Sequence, residues 1–149
     1  MTIRSLKLAA LGVALTAMIG LYAQPQQARR ATNIAALRAF PQFYHMRPVV
    51  VVGTIALADN GDLRLSNDGA TMRIIYKGNT PDTLAEVRGE FWDLGGMNAD
   101  DPRLAGLDAP RTFHIDPEGP WPRPGAVTAI VASAVTETVQ PPTASIRAI

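Results

Sequence analysis

The chain contains no cysteine. That excludes disulfides, thiolate metal sites, a cysteine nucleophile and a lipidated N-terminal cysteine of the lipoprotein type. An exported protein without cysteine relies on its core alone. Histidine is scarce, with two in 149 residues, at His45 and His114. No acidic residue precedes Asp59, while Arg4, Lys7, Arg29, Arg30, Arg38 and Arg47 all lie before it. The net charge of +1 therefore hides a basic first part and an acidic remainder, in which eight basic residues face thirteen acidic ones. A barrel that binds a phosphate backbone normally carries a basic face, so this balance argues against nucleic acid.

Catalytic signatures are also missing. Ser66 has no Gly-x-Ser-x-Gly surroundings, which a nucleophile elbow requires. Asn98-Ala99-Asp100-Asp101 lacks the spacing of a calcium loop. A turn or N-cap at Asp100 or Asp101, with Pro102 next, is the expected reading there. Asn60-Gly61 and Asn67-Asp68-Gly69 are turn sequences, and no Gly-rich strand-to-helix loop exists to cradle a phosphate. Asn33 and Asn79 do not begin glycosylation sequons.

What is present begins with an address. Arg4 and Lys7 precede an uncharged, Ala- and Leu-rich run from Leu8 to Ala23, followed by Gln24-Pro25-Gln26-Gln27. This is the pattern of a secretory signal peptide, slightly short for a full membrane span. Cleavage after Ala23 places Leu21 at −3, where a small residue is preferred, so an uncleaved anchor through residues 8–23 stays open beside cleavage. A transit peptide is amphipathic, and this run is not. The expected location is the bacterial cell envelope, periplasmic or anchored in the inner membrane with the body outside the cytoplasm. The expected organisation is 1–23 signal or anchor, 24–33 linker, 34–139 folded domain and 140–149 linker. Ser145–Ile149 repeats the pattern of Ala36–Phe40, which raises the expectation of a second unit starting there.

The body is organised around Pro48–Ala58. Val49, Val50, Val51 and Val52 disfavour a helix and suit a strand, and Gly53 predicts a bend within it. Before it, Ile34 and Leu37 fall at helical spacing behind a possible cap at Thr32 or Asn33, and Pro41 ends that helix. Phe40, Phe43 and Tyr44 are expected to plug one end of the fold. After it, Asn60-Gly61 predicts a hairpin turn. Leu63–Ser66 and Thr71–Lys77 alternate as strands two and three, the latter with Met72, Ile74 and Tyr76 on one face. Glu86–Trp92 is the fourth strand, with a second bend at Gly89. Ala126–Val139 is the fifth. Between them, Asp93–Gly125 shows little regular patterning, and such a segment is expected to be functional or disordered.

Five strands, with Val49–Gly53, Asn60–Gly61, Met72–Tyr76 and Val87–Gly89 as the informative stretches, resemble the oligonucleotide/oligosaccharide-binding (OB) fold over residues 34–139. The fold class expected is all-β: a five-stranded OB-like barrel with an N-terminal signal or anchor helix and a short lead-in helix. An exported OB barrel is similar to the bacterial periplasmic OB-fold proteins, which implies ligand binding rather than catalysis. The resemblance departs in two places. Only Gly78–Leu84 is available for the helix that many OB folds carry between strands three and four, and the extra length lies between strands four and five. That position corresponds to a loop lining the usual OB binding face. The haem chaperones, another anchored OB family, carry a His-x-x-x-Tyr motif. Here Glu118 follows His114 and Val49 follows His45 at that spacing, so no haem carrier is read, and no cofactor is expected.

The candidate ligand-binding residues are Trp92, Asp93, Arg111, His114 and Trp121, all on or beside the long loop. Trp92 and Trp121 are stacking candidates, although Trp121, between prolines, is expected rather to fold back over the open end of the barrel. Pro120–Pro124 also suits a polyproline II surface. His114, Asp116 and Glu118 alternate and would share one face of an extended segment, where they could bind a divalent ion; a solvated acidic loop is the simpler expectation. The leading expectation is a non-enzymatic envelope module contacting a protein partner or small ligand through residues 93–125. The alternatives are single-stranded nucleic-acid or oligosaccharide binding, and a metal-dependent enzyme using His114, Asp116 and Glu118.

Overall fold

The structure is a computed structural model and describes residues 30–139. The signal or anchor segment, most of the following linker and the terminal repeat at 145–149 lie outside the described residues. No helix among the described residues is long and apolar enough to cross a membrane.

Five strands close into a barrel. They are β2 (Pro48–Leu57), β3 (Leu63–Asn67), β4 (Ala70–Ile75), β5 (Leu84–Asp93) and β6 (Thr128–Glu137), and a two-residue strand β1 (Arg30–Ala31) lies outside it. Around the barrel the order is β2-β3-β4-β6-β5 and back to β2. The β4–β6 pairing is parallel and the other barrel pairings are antiparallel. This arrangement is compatible with an OB-like fold.

Closure depends on the bend in β2. Its first part, Pro48 to Thr54, pairs with β5, and its last part, Thr54 to Leu57, pairs with β3. Thr54 belongs to both ladders, so the strand changes partners beside Gly53. A Cβ at Gly53 would overlap the Ser66 carbonyl of β3. At Gly89 the β5–β6 register shifts, and a Cβ there would overlap the Val131 carbonyl. Both glycines therefore permit backbone approaches that any side chain would block, and both expected bends are present.

The β3–β4 connection fixes the register of the next pair. Asp68 has φ 48° and Gly69 φ 79°, the positive pair of a two-residue hairpin turn whose twist matches the strands. Asn67 therefore faces Ala70, and counting back sets Leu65 opposite Met72 and Arg64 opposite Arg73. Leu65, Met72 and Ile74 turn inward, with Val49, Val51, Val87, Phe91 and Ile130, to form the barrel core. Tyr76, expected on the same face as Met72 and Ile74, lies beyond the end of β4.

One end of the core is closed by α1 (Ile34–Ala39), capped by Asn33, whose Oδ1 accepts from Ala36 N at 2.8 Å. Ile34 and Leu37, one turn apart, are fully buried. The expectation that Phe40 and Phe43 plug the barrel is corrected: they are 63% and 44% exposed. Pro41 starts a second short helix, α2 (Pro41–Tyr44), directly after α1. That turn carries Phe40 and Phe43 outward, and the guanidinium groups of Arg30 and Arg47 lie over the Phe43 ring, 5.3 and 4.5 Å from its centre. Tyr44 alone of the three packs against the core.

The long connection between β5 and β6 is ordered. Two short 3-10 turns, Leu94–Gly96 and Pro102–Leu104, and a helical turn α3 (Ala109–Thr112) carry it. Leu94, Met97, Leu104 and Phe113 are buried, and with Trp92 and Ala129 they make a second core on the outside of the barrel wall.

Candidate functional site

Where this outer layer meets the β2–β3 turn, a cleft of about 480 Å³ opens. Asn60 and Asp62 border it from the turn, Arg73 and Tyr76 from β4 and its end, and Arg111 and His114 from α3 and the residue pair beyond it.

Asp62 is the centre of its polar network. Its side chain is only 10% exposed. Oδ2 accepts from Arg73 Nε at 3.0 Å and from Asn60 Nδ2 at 3.2 Å, and lies 3.5 Å from the Arg64 guanidinium. His114 Nε2 is 3.0 Å from Oδ1, so a proton on that nitrogen is donated to the carboxylate. Burial pushes the Asp62 carboxyl up, but the hydrogen bond from His114 and the charge and hydrogen bond of Arg73 together outweigh it, leaving the group below its ordinary value. The Asp62–His114 contact joins residues 52 apart in sequence and ties the turn to the long loop.

Local backbone geometry aims His114. Asp108, just before α3, has φ 46°, and His114, just after it, has φ 54°. The left-handed region costs a non-glycine residue about 1–2 kcal/mol, and it persists only where surroundings over-determine it. Here α3 is held from both sides: Phe113 is buried in the outer core and His114 is bonded to Asp62.

Of the five residues that the sequence singles out, Arg111 and His114 meet on this cleft. The other three serve the loop's own packing. Trp92 is 6% exposed, and its Nε1 donates to Glu90 Oε1 at 2.7 Å. Asp93 is 1% exposed and accepts from the backbone N–H of Gly95 and of Gly125. Trp121 folds back on the outer core, with Nε1 donating to the Leu94 carbonyl at 2.8 Å. The alternation of His114, Asp116 and Glu118 does not produce a shared face, because the segment is not extended. Asp116 Oδ1 accepts from Glu118 N at 2.9 Å and closes a tight turn, while His114 turns to Asp62. Among the described residues, no three His, Asp or Glu side chains are grouped to hold a metal ion.

Sequence reasoning misses Asp62, Arg73, Asn60 and Tyr76. Asp62 reads there as one more turn residue. The signal that identifies the face is the two-residue turn at Asp68-Gly69, since it fixes the register that sets Arg64 and Arg73 side by side.

No protein-family model matches the chain, and no curated protein matches it.

Proposed function

We propose that the chain is an OB-like binding module of the bacterial cell envelope, exported or tethered by its N-terminal apolar segment, which holds a small polar ligand or a partner's polar side chains in the cleft beside Asp62 and His114. The observation that carries this reading is the Asp62–His114 contact. It fastens the β2–β3 turn to the loop between the last two strands, above an open, mixed polar and apolar cleft. In OB barrels those two connections flank the ligand face. Arg111 and Tyr76 offer donors, and Ile75 and Leu107 offer apolar wall. Most of the lining side chains are polar or charged, which suits a polar ligand whose orientation is fixed by placed hydrogen-bonding groups. The acidic balance of residues 59–149 favours a small ligand or protein over a nucleic-acid strand.

The reading is tested by melting the full-length chain against short oligosaccharides, short peptides and single-stranded oligonucleotides. Compounds that raise the melting temperature of the wild type and fail with Arg111→Ala support it. Stabilisation that survives both Arg111→Ala and Tyr76→Ala places the ligand elsewhere and sinks it. The address is tested separately by the mass of the chain from its native host, which reports whether residues 1–23 are removed.

A further inference from the structure

A smaller pocket of about 160 Å³ lies across Arg73 from the cleft, lined by Arg38, Arg64, Arg73, Phe113 and Thr128 among others. We propose that it binds the phosphate group of a small molecule.

Three features of the pocket support this. First, the register puts Arg64 directly opposite Arg73 on neighbouring antiparallel strands, and like charges so placed destabilise a sheet. One carboxylate serves both: Asp62 Oδ2 lies 3.5 Å from the Arg64 guanidinium and 3.0 Å from Arg73 Nε. Second, α1 adds a third arginine, Arg38, to the lining of the same pocket. Arg38 donates to the Thr71 carbonyl, a neutral acceptor 33 residues away in sequence. Among the described residues no carboxylate is paired with Arg38. Three cations against one anion leave a surplus of two positive charges, which a dianionic phosphate neutralises. Third, the arginine that reaches deepest is held in place. The Arg73 side chain is 12% exposed, and its guanidinium lies 5.9 Å from the centre of the buried Phe113 ring.

Guanidinium forks match the oxygen geometry of phosphate, and in a partly desolvated pocket such charge-assisted hydrogen bonds are among the strong ones. The size decides between a group and a whole ligand. Pockets for drug-sized molecules run to roughly 300–1,000 Å³, so this one takes a single tetrahedral anion. The rest of the molecule lies outside, over the barrel wall or towards the cleft.

The proposal does not need the cleft reading, and the two can fail separately. The full-length chain is titrated with inorganic phosphate, with chloride balancing the ionic strength, while the melting temperature and the amide resonances of residues 38, 64 and 73 are followed. A saturable rise in melting temperature with shifts at those amides is expected, and sulfate should compete. Arg38→Gln keeps a donor for the Thr71 carbonyl but removes the charge, and Arg64→Gln removes the facing charge. Each should weaken phosphate binding at least ten-fold, whereas Arg111→Ala, which alters only the cleft, should leave it unchanged. A response to phosphate no larger than to chloride overturns the proposal, as does wild-type binding by both glutamine variants. If a short single-stranded oligonucleotide displaces phosphate at far lower concentration and with steep salt dependence, the phosphate is that of a nucleic-acid backbone and the small-molecule assignment is overturned.

Discussion

The Asp93 carboxylate receives the backbone N–H of Gly125 across 32 residues of sequence, at 2.9 Å from either oxygen. It also receives Gly95 N at 3.1 Å. One buried side chain therefore pins the departure of the long loop to its return. Gly95 makes the close approach possible, since a Cβ there would overlap the backbone at Arg123 and Pro124. Gly125 makes the return turn at φ 81°.

Asp93→Ala removes the buried acceptor shared by the Gly95 and Gly125 N–H groups, of which Gly95 is half-buried and Gly125 exposed. A hydrogen bond to a charged group contributes about 1.5–3 kcal/mol, and the exposed Gly125 N–H can turn to water, so a loss of about 2–3 kcal/mol is expected in urea unfolding at neutral pH. Asp93→Asn retains one oxygen acceptor and should lose less than half as much. Equal losses for the two variants would show that the carboxylate does not act as the loop's clamp.

The barrel bends make a sharper distinction. Gly53→Ala and Gly89→Ala each drive a methyl into a neighbouring strand's carbonyl, at Ser66 and Val131. Overpacking of this kind costs about 1–3 kcal/mol and sometimes more, and backbone atoms yield little, so about 3 kcal/mol is expected at each. Gly106 has nothing within 4 Å of an added Cβ. Gly106→Ala should therefore stay within about 0.5 kcal/mol of the wild type. Denaturation midpoints of the three variants check this directly.

The bend at Gly53 is legible in the sequence itself, because a glycine inside a run of β-branched residues has few other uses, and the bend at Gly89 is legible from Val87-Arg88-Gly89, which echoes Val51-Val52-Gly53. A helix cap at Thr32 or Asn33 is legible for a local reason too, since both side chains can accept from the first turn, and the structure uses Asn33. The outer core is not. Leu94, Met97, Leu104, Leu107, Phe113, Ile115 and Trp121 follow neither a helical nor a strand period, so pattern reading sees a loop. Their signal is compositional: large apolar side chains recur through a segment rich in Pro and Gly, and a wet loop has no use for them. What they cover is the outward face of β4 and β6 at Ile75, Ala129 and Val131. The same packing explains why Trp92 and Asp93, at the mouth of the loop in sequence, are buried in space. The Asp62 site depends on a long-range contact, to His114, that no local pattern encodes.

The two tryptophans report on that packing. Trp92 is 6% exposed, whereas Trp121 is half-buried at the edge of the outer core. In Trp121→Phe the remaining emission comes from Trp92 alone among the described residues. It should shift to the blue and resist quenching by iodide. Loss of the Nε1 bond to Leu94 should cost about 1 kcal/mol. An easily quenched residual emission would mean that the loop does not cover Trp92.

Acid should loosen the turn–loop junction. The Asp62 carboxyl is depressed below its ordinary value of 3.8 in the folded chain. A depressed carboxyl contributes stability that is present above the unfolded value and lost as pH falls through the folded one. Asp101, which accepts from the backbone and side chain of Arg103, acts with the same sign, since its carboxyl is held down to about 2. Stability should therefore fall between about pH 4 and pH 2. Asp62→Asn should be less stable than the wild type at pH 7, where it leaves Arg73 without its carboxylate, and should show a shallower fall below pH 4. Unfolding curves at pH 7, 4 and 2.5 compare the two slopes.

The facing arginines supply the last test, and its sign is the informative part. If Arg64 is there to hold the fold, removing it should weaken the protein. If it is there for its charge, the fold carries it at a cost. The Asp62 contact available to Arg64 is long at 3.5 Å, and the side chain is 34% exposed, conditions under which an ion pair contributes little. Its neighbour Arg73 already takes the shorter contact to the same oxygen. Repulsion across the strand pair should then prevail, at a few tenths of a kcal/mol up to about 1 kcal/mol. Arg64→Gln is expected to melt higher than the wild type at low ionic strength, and salt should close the gap because it screens the repulsion. A variant that melts lower at every salt concentration would make Arg64 a structural partner of Asp62. A variant that melts higher identifies a charge kept against stability, in the pocket that Arg38, Arg64 and Arg73 line.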